Sequence, residues 1–272
     1  MSALSDVLAK ARTDDRAALI GYLPVGYPDV DTSITAMVAL VEGGCDVVEV
    51  GIPYSDPVMD GPTIQAATEP AVQAGVGIAD ALQAVRAVTS AGAAAVTMGY
   101  WNQVERYGVE RFATDLAAAG GSGAVTPDLI PDEAAAWIAA TDAAGLDRIF
   151  LVAPSSTDAR IVSTTQASRG FVYASAVMGV TGARASVGDA AATLVDRVRR
   201  LNPDVPVCVG LGVSTGEQAA EVAAFADGVI VGSALVRCLL DSPDEHGVTA
   251  VRTLSRQLAD GVRARAGRAA PA

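Results

Sequence analysis

The chain is short of the residues on which much enzyme chemistry rests. It has one histidine, His246, and three cysteines, Cys45, Cys208 and Cys238, which are far apart and odd in number. With a single histidine, placed in an Asp-Glu-His-Gly stretch that reads as a solvated loop, Ser-His-Asp and Cys-His relays and histidine metal sites are disfavoured. No Cys-x-x-Cys pair occurs, so neither a disulfide framework nor a zinc site is indicated, and a reducing cytoplasm is the simplest setting. Basic residues are also scarce. Nineteen Lys and Arg face 31 Asp and Glu, a net charge of −12 with a pI near 4.4, which argues against a nucleic-acid partner. The basic residues are scattered, apart from Arg263, Arg265 and Arg268 in what reads as a fraying C-terminus. No run reaches the roughly 18 apolar residues that span a bilayer. The N-terminus, MSALSDVLAKARTDD, carries early acids and no apolar signal core, so it does not read as a secretory leader.

What the chain does have is enough apolar material for one sizeable core, 51% of its 272 residues. Leu4, Val7, Leu8 and Ala11 predict a short amphipathic helix at the start. Short β-branched runs then alternate with helical patterns. Strands are expected over 19–23, 47–50, 94–100, 122–126, 148–152, 171–174, 205–209 and 228–231. Helical stripes fall between them, for example at 65–74, 132–144 and 217–225. Continuous apolar strands suit a parallel sheet covered by helices. Eight such units in this length favour a single (β/α)8 TIM barrel spanning 1–272, with a frayed tail at about 266–272. The N-terminal helix and a short helix after strand eight are additions to the plain barrel. No linker or low-complexity segment divides the chain.

Barrels of this kind carry their chemistry at the C-terminal ends of the strands. The stretch Glu49–Gln65, EVGIPYSDPVMDGPTIQ, is the most informative of these ends. An acid closes an apolar strand, where burial is costly unless the group is paired or used. A proline-stiffened loop follows, bearing Ser55, Asp56 and Asp60, and longer than most strand–helix connections. Later in the chain, Gly179-Val180-Thr181-Gly182, Gly210-Leu211-Gly212 and Gly232-Ser233 end three successive units. Glycine lets backbone N–H groups approach an anion, and a helix opening at Ser233 would add its dipole, so these loops predict a phosphate site without a lysine or arginine cluster. The stretch from Val177 to about Asp189 lacks periodicity and reads as a lid over the ligand.

These motifs together, EVGIPYSDPVMDGPTIQ with SAVMGVTGA and VGLGVSTGEQ, resemble the tryptophan synthase alpha subunit family, and the resemblance runs from Gly21-Tyr22-Leu23-Pro24 to Gly232-Ser233. The resemblance implies retro-aldol cleavage of indole-3-glycerol phosphate to indole and glyceraldehyde 3-phosphate. It implies catalytic roles for Glu49 and Asp60, with Tyr173 positioning, and substrate or phosphate contacts at Tyr100, Thr181, Gly182, Gly212, Gly232 and Ser233. It also implies an α2β2 assembly in the cytoplasm, in which indole passes to a beta subunit that carries pyridoxal phosphate. The alpha chain itself is expected to need no cofactor or metal, and Asp56 is expected to face the partner. Burial behind an apolar strand should keep Glu49 protonated, while Asp60 in a polar loop should stay ionised. Pro24, Met59, Thr126-Pro127-Asp128 and Val177 depart from the commoner family pattern at the pocket wall or loop edges. A different phosphate-binding barrel, such as a sugar-phosphate epimerase, would account for the glycines but not for the acidic loop. A non-catalytic regulatory subunit would leave Glu49 and Asp60 without a purpose.

Overall fold

The structure, a computed structural model, describes residues 3–175 and 184–264, the side chains of 184–187 excepted. Among these residues lie nine parallel strand segments: β1 (Ala18–Pro24), β2 (Val47–Gly51), β3 (Ala94–Met98), β4 (Gly123–Val125), β5 (Asp147–Ile149), β6 (Leu151–Val152), β7 (Val172–Ser175), β8 (Val207–Gly210) and β9 (Gly228–Val231). They hydrogen-bond in the order β5-β4-β3-β2-β1-β9-β8-β7-β6. β5 and β6 are one strand interrupted at the buried Phe150. Its first half pairs with β4 and its second half with β7, so the sheet closes on itself as the expected eight-stranded barrel.

The strands form because their runs are apolar on both faces. β1 and β2 are buried at every position, as befits strands with side chains inside the barrel and against the outer helices. Alternation then sorts the residues. Val48 and Val50 pack outward with the helix layer, whereas Val47 joins Ile20, Val96, Phe171 and Cys208 in the interior. The N-terminal helix Ala3–Thr13 puts Leu4, Leu8 and Ala11 into that same interior cluster, alongside residues near the N-terminal ends of the strands. It closes the floor of the barrel. Helix starts follow their local chemistry: Asp29 caps Val30–Glu42 by accepting from the Thr32 amide, and Pro62 opens Pro62–Gln73 at a position where its missing N–H costs nothing.

Three expectations need correction. The non-periodic stretch thought to run to about Asp189 gives way to helix already at Arg184 (Arg184–Leu201), because the alanines and leucine downstream propagate helix through Gly188. His246 sits in the first turn of Glu245–Arg263 rather than in a loop; Asp244 caps that turn and the imidazole remains exposed. The helical segment expected over 132–144 divides into a 3-10 turn, Pro131–Glu133, and a helix, Ala135–Ala144. Among the described residues, no helix is long and apolar enough to cross a membrane.

Candidate active site

The alternation that buries Val47 inside the barrel also turns Glu49 inward. Its carboxyl is fully buried, and neither oxygen has a hydrogen-bond partner among the described residues. A buried ion pair with a neighbouring strand, the plainest structural use for such an acid, is therefore not what holds it there. Loss of water alone drives its pKa from 4.5 up to about 8. Glu49 is in register with Tyr22 on β1 and Val96 on β3.

Asp60 reaches the same cavity from the loop after β2. That loop is fixed by residues that follow β3. The Tyr100 hydroxyl accepts from the Met59 amide at 2.9 Å and donates to Asp60 Oδ1 at 3.1 Å. The Tyr100 ring stacks on Tyr54 at 5.0 Å, and Asn102 donates to the Tyr54 hydroxyl at 2.8 Å. Gln103 donates to the Pro53 carbonyl at 2.7 Å, and Gln65 to the Asp60 carbonyl at 2.7 Å. Asp60 is half-buried, so desolvation raises its pKa while the Tyr100 hydrogen bond opposes the rise. The polar loop around Asp60 is thus partly shut off from water, which works against its ionisation, while the Tyr100 hydrogen bond favours it.

The opposite rim is glycine. Gly210 ends β8 with the Tyr173 ring packed against it; a Cβ there would lie 2.5 Å from the tyrosine oxygen. Gly212 has φ +76°, which a larger residue would adopt only with strain. Gly232 is the N-cap of the helix Ser233–Asp241, whose first amides open toward the cavity rim. From the second turn of that helix, Arg237 donates to Thr63 Oγ1 at 3.0 Å, tying it to the helix that follows the acidic loop.

A single cavity of about 190 Å³ is lined by Glu49, Asp60, Tyr173, Gly212, Gly232 and Ser233. It thus brings together six of the residues singled out by sequence. Tyr100 stands behind Asp60 rather than in the lining, and Asp56 lies exposed on the outer loop, accepting from the Ser55 hydroxyl at 2.5 Å. Asp128 accepts from the Trp101 amide and so serves a helix start. Thr181, Gly182 and Val177 lie outside the described residues. Sequence reasoning passed over Tyr22, Met98 and Ile230 in the lining; the inward alternation of β1, β3 and β9 was the signal that could have found them. A larger hollow, about 890 Å³, lies on the barrel flank between helices Val109–Ala118 and Ala135–Ala144. It is lined mostly by alanine and offers no comparable acid–base pair. Among the described residues, no cluster of His, Cys, Asp and Glu could hold a metal ion.

Fold and cavity together define a (β/α)8-barrel protein of the enzyme class, with two carboxyl groups facing a glycine-edged rim and a helix N-terminus. Comparison with known proteins specifies the class. The family model for the tryptophan synthase alpha chain matches residues 8–263. The chain is 63% identical to the tryptophan synthase alpha chain of Mycolicibacterium paratuberculosis, over 97% of this chain and 96% of that one. It is 58% identical to that of Thermobifida fusca, over 98% and 100%. A ligand-free crystal structure of tryptophan synthase from M. tuberculosis superposes with a TM-score of 0.89 at 57% identity, over 97% of this chain and 100% of that one. The alpha subunit from Legionella pneumophila superposes with 0.87 at 30% identity, over 96% and 98%. The chain belongs to the tryptophan synthase alpha chain family.

Proposed function

We propose that the cavity cleaves indole-3-glycerol phosphate to indole and glyceraldehyde 3-phosphate, with Glu49 as general acid and base and Asp60 as the partner of the indole N–H. The observation that carries this reading is the unpartnered, fully buried Glu49 carboxyl sharing a small cavity with Asp60 and a glycine-edged helix N-terminus. With a pKa near 8, Glu49 is protonated at neutral pH and able to deliver a proton to indole C3. That protonation places positive charge on the ring nitrogen, where the Asp60 carboxylate stabilises it. The Glu49 carboxylate so formed then takes the proton from the hydroxyl on the adjacent glycerol carbon. The O–H electron pair becomes the aldehyde C=O, and the carbon–carbon pair returns to the ring and restores its aromaticity. Glu49 ends protonated, ready for another turn. Groups in such roles typically contribute about 10²–10⁴-fold in rate.

Gly212, Gly232 and Ser233 hold the phosphate through backbone amides and the helix dipole, with Thr181 and Gly182 completing the cradle. Tyr173 positions the substrate, and Tyr100 holds Asp60. The aldol step routes nothing through a metal or organic cofactor in this chain; pyridoxal phosphate belongs to the beta partner. Asp56 and the exposed Val58 of the same loop face that partner in an α2β2 complex, to which indole passes. Three unpaired cysteines suit the cytoplasmic setting of such a complex.

The test is indole release from the isolated chain supplied with indole-3-glycerol phosphate. Glu49→Gln should fold, bind phosphate and make no indole, whereas substantial turnover would remove Glu49 from the proton transfers. Asp60→Asn should lose roughly 100-fold; a wild-type rate would sink the ring-nitrogen assignment.

A further inference from the structure

A third polar group faces the reacting end of the cavity. Tyr22 stands on β1 in register with Glu49, and its side chain lines the cavity. Its ring spans the two ends of the site. A Cβ on Gly51, two residues beyond Glu49, would lie 2.5 Å from the Tyr22 hydroxyl oxygen. At the other end, a Cβ on Gly232, at the phosphate rim, would lie 3.3 Å from Tyr22 Cδ1. The ring therefore runs from the anion cradle to the carboxylates, and its hydroxyl ends beside β2. Burial raises the pKa of that hydroxyl, and the charge of Asp60, with that of Glu49 once it is ionised, adds to the rise through space. The Tyr22 hydroxyl thus stays protonated in the working range, and its proton is not committed to any hydrogen bond among the described residues.

We propose that the Tyr22 hydroxyl is a further catalytic group that donates a hydrogen bond to the glycerol oxygen on which the aldehyde forms. This rests on the cleavage of indole-3-glycerol phosphate proposed above. With the indole N–H at Asp60 and the phosphate at Gly232, the glycerol carbons lie along the Tyr22 ring. The hydroxyl nearest the carboxylates is the one that Glu49 deprotonates. As that proton leaves, negative charge builds on the oxygen, and a pre-placed donor stabilises it. No bond is made or broken at Tyr22: it lends a hydrogen bond, Glu49 takes the proton, and the carbon–carbon pair returns to the indole ring.

The experiment compares Tyr22→Phe with wild type in indole release. It also measures inhibition by indole-3-propyl phosphate, which keeps the indole and phosphate but lacks both glycerol hydroxyls. Loss of one donor to a developing oxyanion should lower kcat about 10- to 100-fold while KM stays within about threefold. Inhibition by the deoxy compound should be unchanged within about twofold, which also shows that the phenylalanine variant is folded with its pocket intact. Equal weakening of the deoxy compound would overturn the proposal, because the ring's packing rather than its hydroxyl would then be responsible. So would an unchanged kcat in an enzyme whose wild type releases indole. A wild type that releases none would instead refute the substrate assignment itself.

Discussion

Glu49 should make the protein less stable as pH rises, and Glu49→Gln should reverse that. The group titrates near 4.5 in an unfolded chain and near 8 in the folded one. Below 4.5 both states hold the proton and the group contributes nothing. Between the two values the unfolded chain releases a proton that the folded chain keeps, so folding stability falls with pH; above 8 the folded chain carries a bare buried carboxylate at full cost. At about 1.4 kcal/mol per pKa unit, the interval corresponds to a loss of about 5 kcal/mol. Glutamine fills the same space without ionising. The variant should therefore melt close to wild type at about pH 4.5, and about 5–10 °C above it at about pH 8.5, for a chain of this length. Differential scanning calorimetry of the two proteins across that range measures the divergence. Melting curves that stay parallel with pH, or a glutamine variant less stable at alkaline pH, would refute the burial argument. A variant that gains stability while losing indole release would show the same desolvation serving catalysis at the expense of the fold.

Other sites give sharper tests of single contacts. Tyr100→Phe removes the donor that opposes the upward shift of Asp60, so the acid limb of the pH–rate profile should move to higher pH and kcat/KM fall about tenfold; a profile that does not move would show that Tyr100 acts only on the Met59 amide. Gly212→Ala forces a Cβ into a left-handed backbone at a cost of about 1–2 kcal/mol, and the inhibition constant of inorganic phosphate should rise roughly tenfold with kcat little changed. Val58 is 76% exposed at the loop tip; Val58→Asp should leave the melting temperature alone but reduce the stimulation of indole release by added beta subunit. Undiminished stimulation would place the partner elsewhere on the chain.

The strands were legible because β-branched runs such as Val47–Val50 and Gly228–Val231 have few alternatives to a buried parallel sheet. Glu49 was legible for the complementary reason, as the one acid in such a run. The break at Phe150 was not, because one strand can transfer its pairing from β4 to β7 without any change in apolar pattern. The helix pair Trp101–Tyr107 and Val109–Ala118 was also hidden. It turns on Gly108 at φ +101°, and a glycine inside a helical stripe reads equally as a stop or as a tolerated defect. The half-burial of Asp60 depends on Tyr100, 40 residues away, and a loop full of polar residues gives no hint that a tyrosine will fold over it. Tyr22 escaped because strand aromatics are usually core; only its register with Glu49 distinguishes it.

The helix Ala3–Thr13 has a consequence for traffic. By driving Leu4 and Leu8 into the base of the barrel, it blocks that end of the interior. The cavity shared by Glu49 and Asp60 lies toward the other end, where the loop from Ile52 to Gly61 edges its rim. A partner seated on that loop would sit beside the cavity mouth, so the stopper at one end of the barrel is what turns a docking contact at the other into control over where an apolar product goes.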